Sequence, residues 1–174
     1  MATTYVIYNG PMPTTAPITP VTTSATLFTL MQIVPSANTP LKVVEWGVSF
    51  NGAALAAGFQ CELVETGAIA ATVTSYAVAD LMPYGDPNAP ANTTAGTSSV
   101  PLNMSTALSG YTSSAEGSIT VCRSLDSQIV EPIGGYWKQF PLGREPGILP
   151  GHVCRIRIHG DGTTKAVCYM VIEI

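Results

Sequence analysis

The groups in this 174-residue sequence that could move a proton or hold an ion are two histidines and eleven carboxylates. His152 follows a glycine at a loop edge and His159 ends a strand-like run. Neither stands in an HExxH pattern or at a suggestive spacing from Asp or Cys, so both read as structural or surface histidines. Glu62 with Glu65, and Asp80 with Asp86, are the carboxylate pairs to weigh for glycoside hydrolysis, which needs two such groups about 5–10 Å apart across a cleft. So few aromatic residues accompany them that a sugar cleft is a poor reading. Asp86 and Asn88 place oxygen donors two residues apart, yet a calcium loop recruits several more. That stretch reads instead as a rigid turn, with Pro87 and Pro90 fixing φ. No GxSxG, Walker or GxGxxG pattern occurs. The expectation is a protein that is not an enzyme and carries no metal or cofactor.

Cys61, Cys122, Cys154 and Cys168 are far apart and form no CxxC pair, whereas zinc ligands usually come in close pairs on turns. Each lies in an apolar, strand-like run and is expected buried and reduced. Cys154 and Cys168 flank an expected hairpin, which leaves a cross-strand contact open. Asn92 and Asn103 match the glycosylation sequon, which in a chain rich in Thr and Ser reads as coincidence.

The remaining conspicuous segment is 134–151. Tyr136, Trp137 and Phe140 offer large rigid contact area and Arg144 a charge-assisted anchor, types enriched at interface hot spots. The alternative is an inter-sheet corner where Trp137 and Phe140 cap the core. Arg155 and Arg157, which share one face of a strand, join these as candidate contact residues.

Charged residues make up only 10% of the chain, against about 25% in an ordinary soluble domain. A surface so poor in charge is a weak defence against self-association, and cover by partner subunits explains it. The net charge of −4, with seven Lys and Arg and no basic run, argues against nucleic-acid binding. No targeting segment or membrane-spanning apolar run is read, so synthesis in a cytoplasm is expected.

Positioning these residues falls to strands. Fourteen prolines and sixteen glycines interrupt any long helical stripe. Strands are expected near 3–8, 25–34, 41–50, 58–66, 69–75, 117–123, 127–131, 136–140, 153–159 and 165–173. In 153–159, Cys154, Ile156 and Ile158 point to a core while Arg155 and Arg157 point to water or a partner. A turn at 160–164 is expected to reverse the chain into 165–173, which is apolar on both faces and therefore central in a sheet or beneath a neighbouring chain. In 41–50, Lys42, Val44, Trp46, Val48 and Phe50 make the expected core face, closed by Asn51-Gly52, a pair suited to positive φ. A short helix is expected at 75–82, ended by Pro83. Residues 83–116 read as a long loop, and 9–24, with Pro11, Pro13, Pro17 and Pro20, as an extended arm. The expected organisation is an N-terminal segment over 1–24 and one all-β sandwich over 25–174, with a jelly roll as its candidate form.

The stretches Glu45-Trp46-Gly47, Glu62-Leu63-Val64-Glu65-Thr66-Gly67, Asp86-Pro87-Asn88-Ala89-Pro90 and Gln139-Phe140-Pro141-Leu142-Gly143-Arg144-Glu145, with the closing Val153–Ile158 and Ala166–Ile174 runs, give the chain a resemblance from about residue 27 onward. It resembles small structural proteins from tailed phages of actinobacteria and their relatives. The resemblance implies a virion component, a capsid decoration (cement) protein: a β-rich oligomer, often a trimer, that sits on the capsid surface and bridges major capsid protein subunits. It supplies no catalytic residues. A tail, baseplate or head-fibre component is the first alternative. A carbohydrate-binding β-sandwich, with Tyr136 and Trp137 as its platform, is the second.

Overall fold

The computed structural model describes residues 4–36, 40–53, 57–85 and 108–174. Among them run thirteen strands: β1 (Thr4–Tyr8), β2 (Val21–Thr22), β3 (Phe28–Ile33), β4 (Leu41–Asn51), β5 (Phe59–Glu65), β6 (Thr72–Ser75), β7 (Met82–Pro83), β8 (Gly110–Ala115), β9 (Arg123–Val130), β10 (Gly135–Gln139), β11 (Gly147–Ile148), β12 (Cys154–His159) and β13 (Lys165–Glu173). They form two antiparallel sheets. The first has the order β10-β4-β13-β1-β7, with β11 beside β4 and β2 beside β13. The second has the order β6-β8-β3-β12-β5-β9.

The fold is an all-β sandwich, and its connections are those of a jelly roll. Four strands of one sheet, β1-β13-β4-β10, face four of the other, β3-β12-β5-β9. Along β1, β3, β4, β5, β9, β10, β12 and β13, every step crosses to the opposite sheet except β5 to β9. That exception carries residues 66–122, whose β6 and β8 widen the second sheet beyond β3 while β7 pairs with β1 in the first.

Alternating side chains from both sheets build one core. Ile7, Trp46, Val48, Phe50, Cys168, Met170 and Ile172 come from the first sheet, and Leu30, Ile33, Cys61, Leu63, Ile156 and Ile158 from the second. Phe50 and Phe59 meet edge to face with ring centres 5.1 Å apart. Fully burying a residue such as Ile156 stabilises the fold by about 1.5–3 kcal/mol relative to exposure. As its apolar sequence requires, β13 is interior to its sheet, flanked by β4 and β1.

The N-terminal strand is part of this sandwich, because Thr4 to Tyr8 pair with Glu173 to Tyr169. The extended segment therefore begins after Tyr8. Asn9 continues the ladder with its side chain, donating to the Ala166 carbonyl at 3.2 Å and accepting from the Cys168 amide at 2.9 Å.

Several sequence expectations are corrected. The turn after β12 does not close a hairpin, since β12 and β13 belong to different sheets. Asp161 holds that crossover by accepting from the amides of Thr163 and Thr164, both at 2.8 Å. The expected helix reduces to a 3₁₀ turn at Val78–Asp80, because Met82 and Pro83 pair with Val6 and Tyr5 instead. The strand expected at 117–123 is displaced: β8 ends at Ala115, and β9 begins at Arg123 and runs through the expected 127–131. In β4, the register shift opposite Val171 and Ile172 skips Val44, and this bulge reverses the alternation. Leu41 and Val43 thus share the core with Trp46, Val48 and Phe50, while Lys42 is exposed. Gly52 has no positive φ; it is closely packed, as a Cβ there would lie 2.5 Å from Thr164 Oγ1. Cys122 is exposed rather than buried, because the chain leaves the sheet there. All four cysteines are free thiols.

Candidate functional site

Two residues of β10, one apart, go to opposite faces of the first sheet. Tyr136 turns inward and packs on Trp46, with ring centres 5.4 Å apart. Trp137 turns outward and remains 66% exposed. They are not one platform, because successive strand residues alternate. Phe140 is partly buried against the core, so it takes the corner-capping role, with Lys138 Nζ 5.1 Å above its ring. Arg144 is exposed on the β10–β11 loop.

On the inner side, Tyr136 belongs to a polar clamp that ties together the edge strands of both sheets. Asp126, on β9, accepts from Trp46 Nε1 at 3.1 Å and from the Tyr136 hydroxyl at 2.9 Å on Oδ2. Its Oδ1 accepts from Lys138 at 3.1 Å and Gln128 at 3.3 Å. Burial pushes the Asp126 carboxyl up, but these hydrogen bonds and the Lys138 charge outweigh it and hold it below the usual carboxylate range. Burial and the same carboxylate push the Tyr136 phenol up to about 12. Four side chains converge on this one carboxylate, which makes it a structural clamp between β9, β4 and β10.

Arg155 and Arg157 do point away from the core, but the chain's own 66–122 connection covers that face. Arg155 is 0% exposed and donates to the Ile69 carbonyl and, at 3.0 Å, to the Glu116 carbonyl. Burial lowers the guanidinium's affinity for its proton, and Glu116 opposes this. Arg157 pairs with Glu62 at 2.6 Å and is also buried. Neither is open to a partner, which corrects their candidacy as contact residues. The connection folds back because it can satisfy these donors: Gln32 likewise bonds Ala71 and Leu108, and Thr29 bonds Glu116.

The described carboxylates of those pairs, Glu62, Glu65 and Asp80, are spoken for in the same way. Glu65 accepts from Arg123 at 2.5 Å and approaches His152 Nδ1 at 2.8 Å, beside a cavity of about 410 Å³ rimmed by Val121 and Leu149. Asp80 accepts from the Met12 and Ala77 amides at 2.7 and 2.8 Å, tying the arm to the 3₁₀ turn. Asp86, Asn88, Asn92 and Asn103 lie outside the described residues. His159 Nε2 lies 2.9 Å from the Ala25 carbonyl oxygen. Among the described residues, no three His, Cys, Asp or Glu side chains group as a metal site. No helix among them is long and apolar enough to cross a membrane.

The outer face of the first sheet carries what the sequence did not reveal. Cross-strand register places Trp137 opposite Gly47, Gly47 opposite Tyr169, and Tyr169 opposite Tyr8. An aromatic row therefore crosses β10, β4, β13 and β1, with a glycine at its second position. The Tyr169 hydroxyl donates to Glu45 Oε1 at 2.5 Å, and its ring centre is 5.8 Å from that of Tyr8. Burial first, then the Glu45 hydrogen bond and charge, push the Tyr169 phenol well above its ordinary value. Each cross-strand neighbour in this row comes from at least 90 positions away in the sequence, so only strand register could have found it.

A second feature is the apolar fringe of the β9 and β10 side. Val121, Ile129, Ile133, Leu142 and Leu149 join Trp137 in exposing large apolar side chains, with Ile129 at 81% and Leu142 at 97%. Both β9 and β10 are edge strands of their sheets. The jelly-roll sandwich thus leaves one aromatic sheet face and two strand edges exposed. Compared with family models, with curated proteins and with solved structures, the chain finds no match.

Proposed function

We propose that the chain is a virion structural protein: a decoration protein that sits outside a phage head as an oligomer, a trimer by preference, and bridges major capsid subunits. The observation that carries this reading is the apolar fringe over 121–149 on a body with only 10% charged residues. Two unpaired strand edges with exposed Ile129 and Trp137 invite association. The jelly roll supports the reading at a coarser level, since it recurs in viral coats but also in lectins and cupins.

Contacts repeated by symmetry over a shell multiply a small gain per copy. The test is a cryo-EM map of the particle that carries this chain, paired with heating of particles with and without it. Ordered density outside the shell between capsid subunits and a raised disruption temperature are expected. Density confined to the tail would move the protein to the tail reading, and equal heat stability would overturn bridging.

A further inference from the structure

Beyond the virion reading, and independent of it, we propose that the outer face of the first sheet is a binding site for a neutral oligosaccharide. The site is the trough beside the Trp137–Gly47–Tyr169–Tyr8 row.

Three consecutive rows of residues make it. Gly135, Ser49 and Val167 pair across β10, β4 and β13 and form a low floor. The aromatic row stands beside them as a wall, and on its other side Gln139 pairs with Glu45. The cavity between Trp137 and the two tyrosines encloses about 450 Å³, within the range of small-ligand clefts. It shares Tyr8 and Val167 with a second cavity of about 580 Å³ that runs on toward Pro13, Pro17 and Met82. Two cavities meeting at Tyr8 and Val167 offer room for several linked rings rather than a single one.

The chemistry selects the ligand. A pyranose has an apolar face of C–H groups that packs on an aromatic ring and a rim of hydroxyls that need partners. Trp137 and Tyr169 supply the rings, while Glu45, Ser49 and Gln139 supply polar groups on either side of the row. Glu45 accepts one bond from Tyr169 and retains acceptor capacity, and as a carboxylate it can only accept. Every sugar hydroxyl can donate to it. Lys138, the cation on this strand, turns to the opposite face and is engaged by Asp126. A phosphate, uronate or sialic acid beside the aromatic row would meet the Glu45 charge, while the cations of this face stand farther off, Lys165 one row beyond Val167 and Lys42 paired with Glu173, so the row favours a neutral sugar over an acidic one.

The wall is also prebuilt. The Tyr169 ring lies over Gly47, its hydroxyl is held by Glu45, and Tyr8 backs it. Little side-chain freedom remains to be lost on binding at these positions, which favours affinity from a shallow site.

The probes are an array of neutral and acidic glycans, followed by titration of soluble neutral tetrasaccharides of glucose, galactose and N-acetylglucosamine. Trp137 reports directly, because the other tryptophan, Trp46, is wholly buried. A fluorescence change with a neutral tetrasaccharide is expected, together with about a tenfold or greater loss of affinity in Trp137→Ala. Trp137 is exposed, so that variant keeps the fold; Glu45→Gln, which removes the negative charge, should admit acidic glycans that the native protein rejects. No neutral ligand in the native protein, preference for acidic glycans, or affinity unchanged in Trp137→Ala would each overturn the site. So would loss of an oligomer in Trp137→Ala with glycan binding intact, which would give the trough to a second copy.

Discussion

Gly47 lies directly opposite Tyr169, and a methyl group on its Cα would stand 2.5 Å from the Tyr169 Cε1 atom. The phenol cannot swing aside freely, because Glu45 holds its hydroxyl at 2.5 Å. The Tyr136 carbonyl oxygen, 3.2 Å from the same point, closes another way out.

Gly47→Ala should therefore cost about 1–3 kcal/mol through overpacking, despite alanine's better fit to a strand. Paired with Tyr169→Ala, which removes the obstructing ring, most of that cost should vanish. Urea denaturation of the two single variants and the double variant measures the coupling. Additive costs would mean that the ring does not enforce the glycine.

The Asp126 clamp makes acid sensitivity predictable. Its folded carboxyl lies below the ordinary range, so its stabilisation is complete above the unfolded value, about pH 4, and is lost as pH falls through the folded one. Asp126→Asn should be less stable than the native protein by about 2 kcal/mol at neutral pH, with the gap narrowing below pH 4. Melting temperatures of both proteins from pH 7 to pH 3 test this; parallel curves would remove Asp126 as the source.

Arg155 pins the long connection to the second sheet, so its loss should be felt there first. Arg155→Met leaves the Ile69 and Glu116 carbonyls without their cation and should cost about 2–4 kcal/mol. Limited proteolysis should show new cleavage within 66–72 or 116–122 before the sandwich strands are cut. Cleavage spread evenly over the chain would indicate a global effect.

Thiol chemistry separates one cysteine from three. Cys122 is exposed, whereas Cys61, Cys154 and Cys168 are buried, with burial pushing each of these thiols up, Cys61 to about 12. A disulfide-exchange reagent should titrate one thiol per native chain rapidly and the other three only on unfolding. Cys122→Ser should abolish the fast phase, and a second fast thiol would contradict the burial.

The fold class was legible because alternation and turn residues are local signals. Cys154, Ile156 and Ile158 read correctly as core, and the two-sided apolarity of 165–173 placed that strand inside its sheet. Pairing was less legible. A tight turn such as 160–164 looks the same whether it closes a hairpin or carries the chain to the opposite sheet. The Val44 bulge left no mark that alternation could register. The two arginines of β12 were oriented correctly, but the identity of what covers them came from a connection that closes over them from far along the chain. For the candidate site, Trp137 was visible as an aromatic in a prominent segment. Tyr8, Gly47 and Tyr169 were not, since they become neighbours only through register.

The pairing of Thr4 with Glu173 has a mechanical consequence. Both ends of the sandwich leave from the same end of the same ladder, so a pull between them loads one rung at a time. The β1–β13 seam would peel open under modest tension, whereas a load spread across the sheet faces would strain many rungs together. A domain made this way bears force well when gripped by its faces and edges, and poorly when tethered by its ends.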